Sequence, residues 1–303
     1  MSDQATAYGG QAVIEGVVIR GRKTIALACR RPNGEIYRYR EALDSPLQRS
    51  RLAKLPFVRG VVVLWESLSY GMRMLMRSAD VQLEDPQGGA APAEAAKTGM
   101  GGSAAMMLPA IGVALLIFIG VPYLLTQLLH AVITSSLVLN VAEGIVRIAL
   151  FVGYLVAISF LPDIRRVFAY HGAEHMTIHA FEHGDPLDAA HIEPYPTAHP
   201  RCGTAFLLFV VVIAIVIFAF IPRVNLIVDL ASRLLLVIPV AAIAYEVLKL
   251  GARHERNPLM RLAIAPGLLL QAITTRRPDG GMIEIAVASL EEALAGDAQG
   301  SAA

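Results

Sequence analysis

Hydrophobic and polar positions divide this chain into a mixed first third, a strongly apolar middle and a mixed end. Four stretches are long and apolar: Ala104–Leu129, Val141–Leu161, Thr204–Ile221 and Leu234–Leu250. Roughly 20 apolar residues cross the hydrocarbon core of a bilayer, so each stretch predicts a transmembrane helix. Pro109 and Pro122 predict kinks in the first, of a kind that neighbouring helices accommodate. Glu143 and Arg147 interrupt the second at a spacing that lets them pair on one helix face. Outside the middle the period changes. Ala12–Ile19 is β-prone around Gly16, and Thr24–Arg30 and Glu35–Glu41 read as two strands flanking Pro32-Asn33-Gly34. Asn-Gly is a strong hairpin signal because both residues tolerate positive φ. Met282–Val287 alternates after Pro278-Asp279-Gly280-Gly281 and predicts a strand that joins this hairpin, since a lone hairpin is marginal in water. Residues 57–79 have an amphipathic helical pattern, with Trp65 and Tyr70 suited either to the headgroup layer or to packing on the soluble part. Residues 81–103 are rich in Ala, Gly and Pro and read as a flexible linker, and Pro258–Thr275 as a helix on the membrane surface.

Composition and charge turn this pattern into a topology. The 303 residues are 55% hydrophobic and 17% charged, whereas a soluble domain has about 45–50% apolar and about 25% charged residues. Basic and acidic residues nearly balance, 26 against 25, which argues against a nucleic-acid binder. Every Lys and Arg except Arg147, Arg223 and Arg233 falls in 1–103, 162–203 or 249–303. The positive-inside rule then places both termini and the 162–203 loop in the cytoplasm. Residues 1–20 lack the apolar region of a secretory signal. The expected fold is a polytopic α-helical membrane protein with four transmembrane helices plus a small cytoplasmic α+β portion built from both termini. Its parts are residues 1–80, the linker 81–103, a membrane region 104–250 and a cytoplasmic segment 251–303. Cys29 and Cys202 both face a reducing compartment, which suits free thiols or metal ligands.

The loop 162–203 concentrates the chemistry, with six of the eight histidines. On a helix His171 and His175 lie one turn apart on one face, so both imidazoles can hold one metal ion. Glu174 sits beside them as a candidate base, in the His-x-x-Glu-His order of one metalloenzyme class. His199-Pro200-Arg201-Cys202 closes the loop, and His199 or Cys202 supplies a third ligand of zinc type. Three protein ligands with an open fourth position mark a catalytic centre, whereas four protein ligands mark a structural one. Arg201 is a candidate for holding an anionic group or oxyanion. His179 and His183 continue the same row and read as a solvated histidine face. Glu246 is costly in an apolar span and is a functional candidate unless it pairs with Lys249 or Arg253.

Tyr170-His-Gly-Ala-Glu-His175 and His199-Pro-Arg-Cys-Gly-Thr204 resemble the signature of the YqhQ-like bacterial membrane proteins, often labelled predicted metal-dependent enzymes. Gly9-Gly-Gln-Ala-Val-Ile-Glu-Gly16, Arg59-Gly60, Tyr245-Glu246, Pro266-Gly267 and the Leu270-Gln271 through Thr274-Thr275 run also match. Met176 departs from the lysine expected after the second motif histidine. The resemblance implies an inner-membrane protein in which Glu15, His171, Glu174, His175, His199, Arg201 and Cys202 are the positions to test. The leading expectation is a zinc-type hydrolase at the cytoplasmic membrane face, surrounded by the lipid bilayer. A scaffold or regulator of protein insertion or envelope assembly, with a membrane-protein partner, is the alternative. A transporter ranks last because few polar residues line the spans.

Overall fold

The computed structural model describes residues 8–43, 55–83, 109, 111–253 and 257–299. The expected linker lies outside the described residues beyond residue 83, as does the start of the first expected span.

Four strands form one antiparallel meander: β1 (Gly9–Val13), β2 (Gly16–Arg20), β3 (Thr24–Arg30) and β4 (Ile36–Ala42). The β1–β2 turn is only Ile14-Glu15, with Glu15 at φ 49°, and the β3–β4 turn carries Gly34 at φ 91°. Side chains alternate between two buried faces. Val17, Ile19, Ala26 and Ala28 face one core, and Val18, Ile25, Leu27 and Cys29 face the other. This period of two explains why Val17–Ile19 and Ile25–Cys29 are apolar at every position: both faces are covered.

The first face is covered by helices α4 (Pro162–His183) and α9 (Gly280–Gln299), the second by α1 (Val58–Gln82) through Tyr70, Met74 and Val81. The expected strand Met282–Val287 is therefore wrong, because these residues belong to α9. Ile283, Ala286, Leu290 and Ala293 recur at helical spacing and are all buried. Asp279 also caps the turn, accepting from Met282 N–H at 2.9 Å. A six-residue alternation is too short to outweigh a twenty-residue helical stripe. The strand pairing the predicted hairpin is instead β1–β2, from the other end of the chain.

Among the described residues three helices are long and apolar enough to cross a membrane: α2 (Ile111–Ala131), α3 (Ser136–Ile158) and the Leu226–Leu250 part of α7 (Leu226–Arg253). The third expected span becomes α6 (Gly203–Ala219), a shorter apolar helix of 17 residues. At 1.5 Å per residue it covers about 26 Å against a core of about 30 Å. A short α5 (Ala189–Ile192) precedes it, and α8 (Pro258–Thr274) packs on α6 with Leu270, Gln271 and Thr274 buried and Leu262 and Leu269 exposed.

Ion pairs fix the bundle at two places. Glu143 and Arg147 do pair, at 2.6 Å, but Arg223 and Arg233 also reach Glu143, each at 2.7 Å. Nearby Tyr123 donates to Asp229 at 2.8 Å. Glu246 pairs with Arg59 of α1, which donates from Nε at 2.7 Å.

Candidate metal centre

Helix α4 carries most of the site. Pro162 opens it, Asp163 lies in its first turn, and Gly184 closes it in the left-handed conformation at φ 77°. His171, His175, His179 and Glu182 recur at intervals of four, four and three and so share one stripe of this helix. A second element, the Thr197–Cys202 segment before α6, lies against the stripe. Cys202 is the N-terminal cap of α6, its Sγ accepting from Thr204 N–H at 3.4 Å.

The stripe and the segment bring together two sets of potential ligands. His171, His175 and Cys202 offer ligand atoms within 4.8 Å of one another, and so do His179, Glu182 and His199. In the first set His171 Nε2 stands 3.3 Å from Cys202 Sγ. Both histidines are oriented by backbone carbonyls. His171 donates from Nδ1 to Thr274 O at 2.9 Å, and His175 from Nδ1 to Thr197 O at 2.6 Å. Each bond puts the proton on Nδ1 and leaves the Nε2 lone pair free for a metal, the usual arrangement behind a histidine ligand. Gly172 makes the first bond possible. A Cβ there would lie 2.1 Å from the Arg276 carbonyl oxygen, so only glycine lets the chain after α8 run this close to α4.

Glu174 is buried, with its carboxylate 3.4 Å from His175 Nε2. Burial pushes its carboxyl well above the usual range, against the pull of His171, His199 and a hydrogen bond from Gly10. Burial likewise lowers His175, and it brings His179 down to about 4. Both therefore stay neutral at pH 7, the form that binds metals. With His175 neutral, its contact with Glu174 is not a strong ion pair. Glu174, His175, His199, Arg201 and Cys202, with Tyr8 and Gly10, line a cavity of about 40 Å³. That is room for an ion and a water rather than a large ligand.

The second set is built differently. Glu182 Oε2 lies 3.6 Å from His199 Nε2, while Arg201 forms an ion pair with Oε1 of the same carboxylate. Arg201 was expected to hold an external anion, but its guanidinium neutralises Glu182, a buried carboxylate that needs a counter-charge. His199 was an alternative to Cys202 as third ligand, and the structure groups it with His179 and Glu182 instead. Its backbone is fixed from α8, since Gln271 accepts from His199 N–H at 2.7 Å and donates to His199 O at 2.9 Å.

Glu15 stands apart from both sets. It caps no metal position but binds Arg166 and accepts from Tyr170 at 3.2 Å, tying the β1–β2 turn to α4. Glu246 is distant in the chain and belongs to the α1–α7 contact. His183 is exposed as expected, whereas His179 is partly buried, its Nε2 donating to Ala198 O at 2.9 Å. Sequence reasoning missed Glu182 and the roles of Thr197, Thr274 and Gln271. The signal for Glu182 was its place on the histidine stripe; the carbonyls carry none, because any residue type supplies one.

A family model described as a protein of unknown function, DUF1385, matches residues 55–296. The chain is similar to the uncharacterized protein YqhQ of Bacillus subtilis (strain 168), 31% identical over 293 residues that cover 95% of this chain and 92% of that protein. No solved structure matches the chain.

Proposed function

The chain belongs to the DUF1385 family of proteins of unknown function, and from its own residues we propose that it is a metal-dependent membrane enzyme. It acts as a hydrolase at the cytoplasmic face of a bacterial inner membrane, with both termini cytoplasmic and α6 as a fourth membrane helix. One observation carries this reading: the ligand atoms of His171, His175 and Cys202 converge within 4.8 Å beside the buried carboxyl of Glu174. Two imidazoles and a thiolate are a donor set for Zn²⁺, and three protein ligands leave a position open. An ion held by His171, His175 and Cys202 would supply Lewis acidity. The chain does the rest. Thr274 and Thr197 aim the two Nε2 atoms, the cavity admits a water, and Glu174 takes a proton from that water and returns it to the leaving group. Burial raises the Glu174 carboxyl, which strengthens it as a base towards that water. Arg201 is a positioning residue that holds Glu182 and, through its backbone N–H, His199.

The test is metal analysis of protein purified in mild detergent without chelator. The expected content is about one equivalent of zinc, falling severalfold in Cys202→Ser; less than about a tenth of an equivalent of any transition metal sinks the reading. The narrow cavity favours a second reading, a structural metal site in a scaffold for other membrane proteins. Glu174→Gln separates the two. An enzyme variant keeps its metal and fails to complement a deletion strain, whereas a scaffold variant keeps both.

A further inference from the structure

Helix α1 is apolar on two opposite faces. One bears Tyr70, Met74 and Val81 and is buried against the sheet. The other bears Val58, Val61, Trp65 and Leu68, spaced three, four and three residues apart, which at 100° per residue lies half a turn away. Trp65 is 64% exposed and Leu68 62% exposed, and Leu55 and Phe57 just before the helix are half exposed too. A helix face left to water is ordinarily polar. This one has nothing on it among the described residues, yet it carries the largest apolar side chain available.

Its location supplies the cover. The first turns of α1 are fastened to the end of α7 that leads to Leu250: Arg59 pairs with Glu246, and Gly60 is close enough to Tyr245 that a Cβ would touch its ring at 3.0 Å. Val247 and Leu250 at this end of α7 are themselves exposed apolar residues. The outward face of α1 thus starts beside the exposed apolar end of a helix long and apolar enough to cross a membrane. We infer that α1 lies along the bilayer surface, with Val61, Trp65 and Leu68 in the headgroup layer and its opposite face carrying the sheet. Tryptophan is favoured at that depth because its ring is amphipathic. The inference does not depend on a metal. Its consequence is that α1 lies between the lipid surface and the sheet, with α4 and α9 on the far face of the sheet.

Trp65 is the single tryptophan of the chain, so the intact protein reports on the inference directly. Full-length protein is reconstituted in phosphatidylcholine–phosphatidylglycerol vesicles with and without lipids brominated at shallow or deep acyl positions. Shallow bromines are expected to remove at least about half of the tryptophan emission and deep ones less, with little quenching by aqueous iodide. Moving the reporter one turn along the stripe, in the double variant Trp65→Phe, Leu68→Trp, is expected to reproduce that order. Ready quenching by iodide without loss to bromolipid overturns the inference, because the face is then in water. Protection from both quenchers also overturns it, because the face is then covered by protein, a second copy of this chain or another partner.

Discussion

Gln271 on α8 grips the peptide groups on both sides of His199, accepting from its N–H at 2.7 Å and donating to its carbonyl at 2.9 Å. The site is thus held together by a helix that contributes no ligand to it. Gln271→Leu removes both partners from buried backbone groups, and each group left unpaired costs about 1–3 kcal/mol. We expect a lower unfolding temperature in detergent and loss of bound metal. Gln271→Glu, which keeps the acceptor, is expected to fall between the two. Unchanged metal content in Gln271→Leu would refute a positioning role.

Gly172→Ala should run against helix propensity. Alanine is about 1 kcal/mol better than glycine in a helix interior, so a helix judged alone is stabilised. Here the added Cβ meets the Arg276 carbonyl at 2.1 Å, and that carbonyl belongs to a segment fixed by Arg276 N–H donating to Phe168 O. The expected outcome is destabilisation by about 1–3 kcal/mol, as in other overpacked sites, with the Thr274 carbonyl withdrawn from His171. Thermal unfolding together with zinc content reads both effects.

Asp297 links α9 to the sheet and gives the protein an acid-sensitive joint. Burial acts to raise its carboxyl, but hydrogen bonds from the backbone N–H of Arg22 and Lys23 and from Tyr8 outweigh it and hold the group below its ordinary value. A carboxyl lowered on folding stabilises the fold above its unfolded pKa, about 4. That contribution is lost as pH falls through the folded value. Stability measured from pH 7 downward should therefore drop below about pH 4, and Asp297→Asn should flatten that part of the curve while costing about 1–3 kcal/mol at pH 7.

The arginine cluster around Glu143 should be asymmetric. Arg147, Arg223 and Arg233 all converge on this buried carboxylate. Glu143→Gln leaves three buried guanidinium groups without it, and removing one partner of a buried pair costs about 3–5 kcal/mol. Arg147→Met removes one cation while two still satisfy the carboxylate, and should cost clearly less. Equal losses in the two variants, by thermal unfolding in detergent, would show that the cluster does not depend on charge.

What was legible in the sequence followed the range of the interaction. The β3–β4 hairpin was readable because Asn33-Gly34 determines it locally, and so were the apolar helices, whose signal is a simple sum over residues. Pairing of His171 with His175 was readable because both lie on one helix. Cys202 joined them as one of two alternatives that only the course of the loop decides. What stayed hidden depends on partners remote in the chain. Arg59 competes with the nearby Lys249 for Glu246, Arg201 is captured by Glu182, and the β1–β2 hairpin turns on two residues, Ile14 and Glu15, without an Asn-Gly signal. The mistaken strand at Met282–Val287 has the same origin, since a short alternation cannot reveal that α9 covers the sheet.

The order of synthesis gives that cover a temporal meaning. The strands emerge from the ribosome early, and the cover over Val17, Ile19, Ala26 and Ala28 is completed only by α9, which emerges after every apolar helix has been made, α4 having supplied the rest of it midway. Until then one side of the nascent sheet has its greasy residues only partly covered. The ribosome's product therefore remains vulnerable to proteases and to sticking throughout insertion, and a chain interrupted before Gly280 offers quality control an unfinished sheet to recognise.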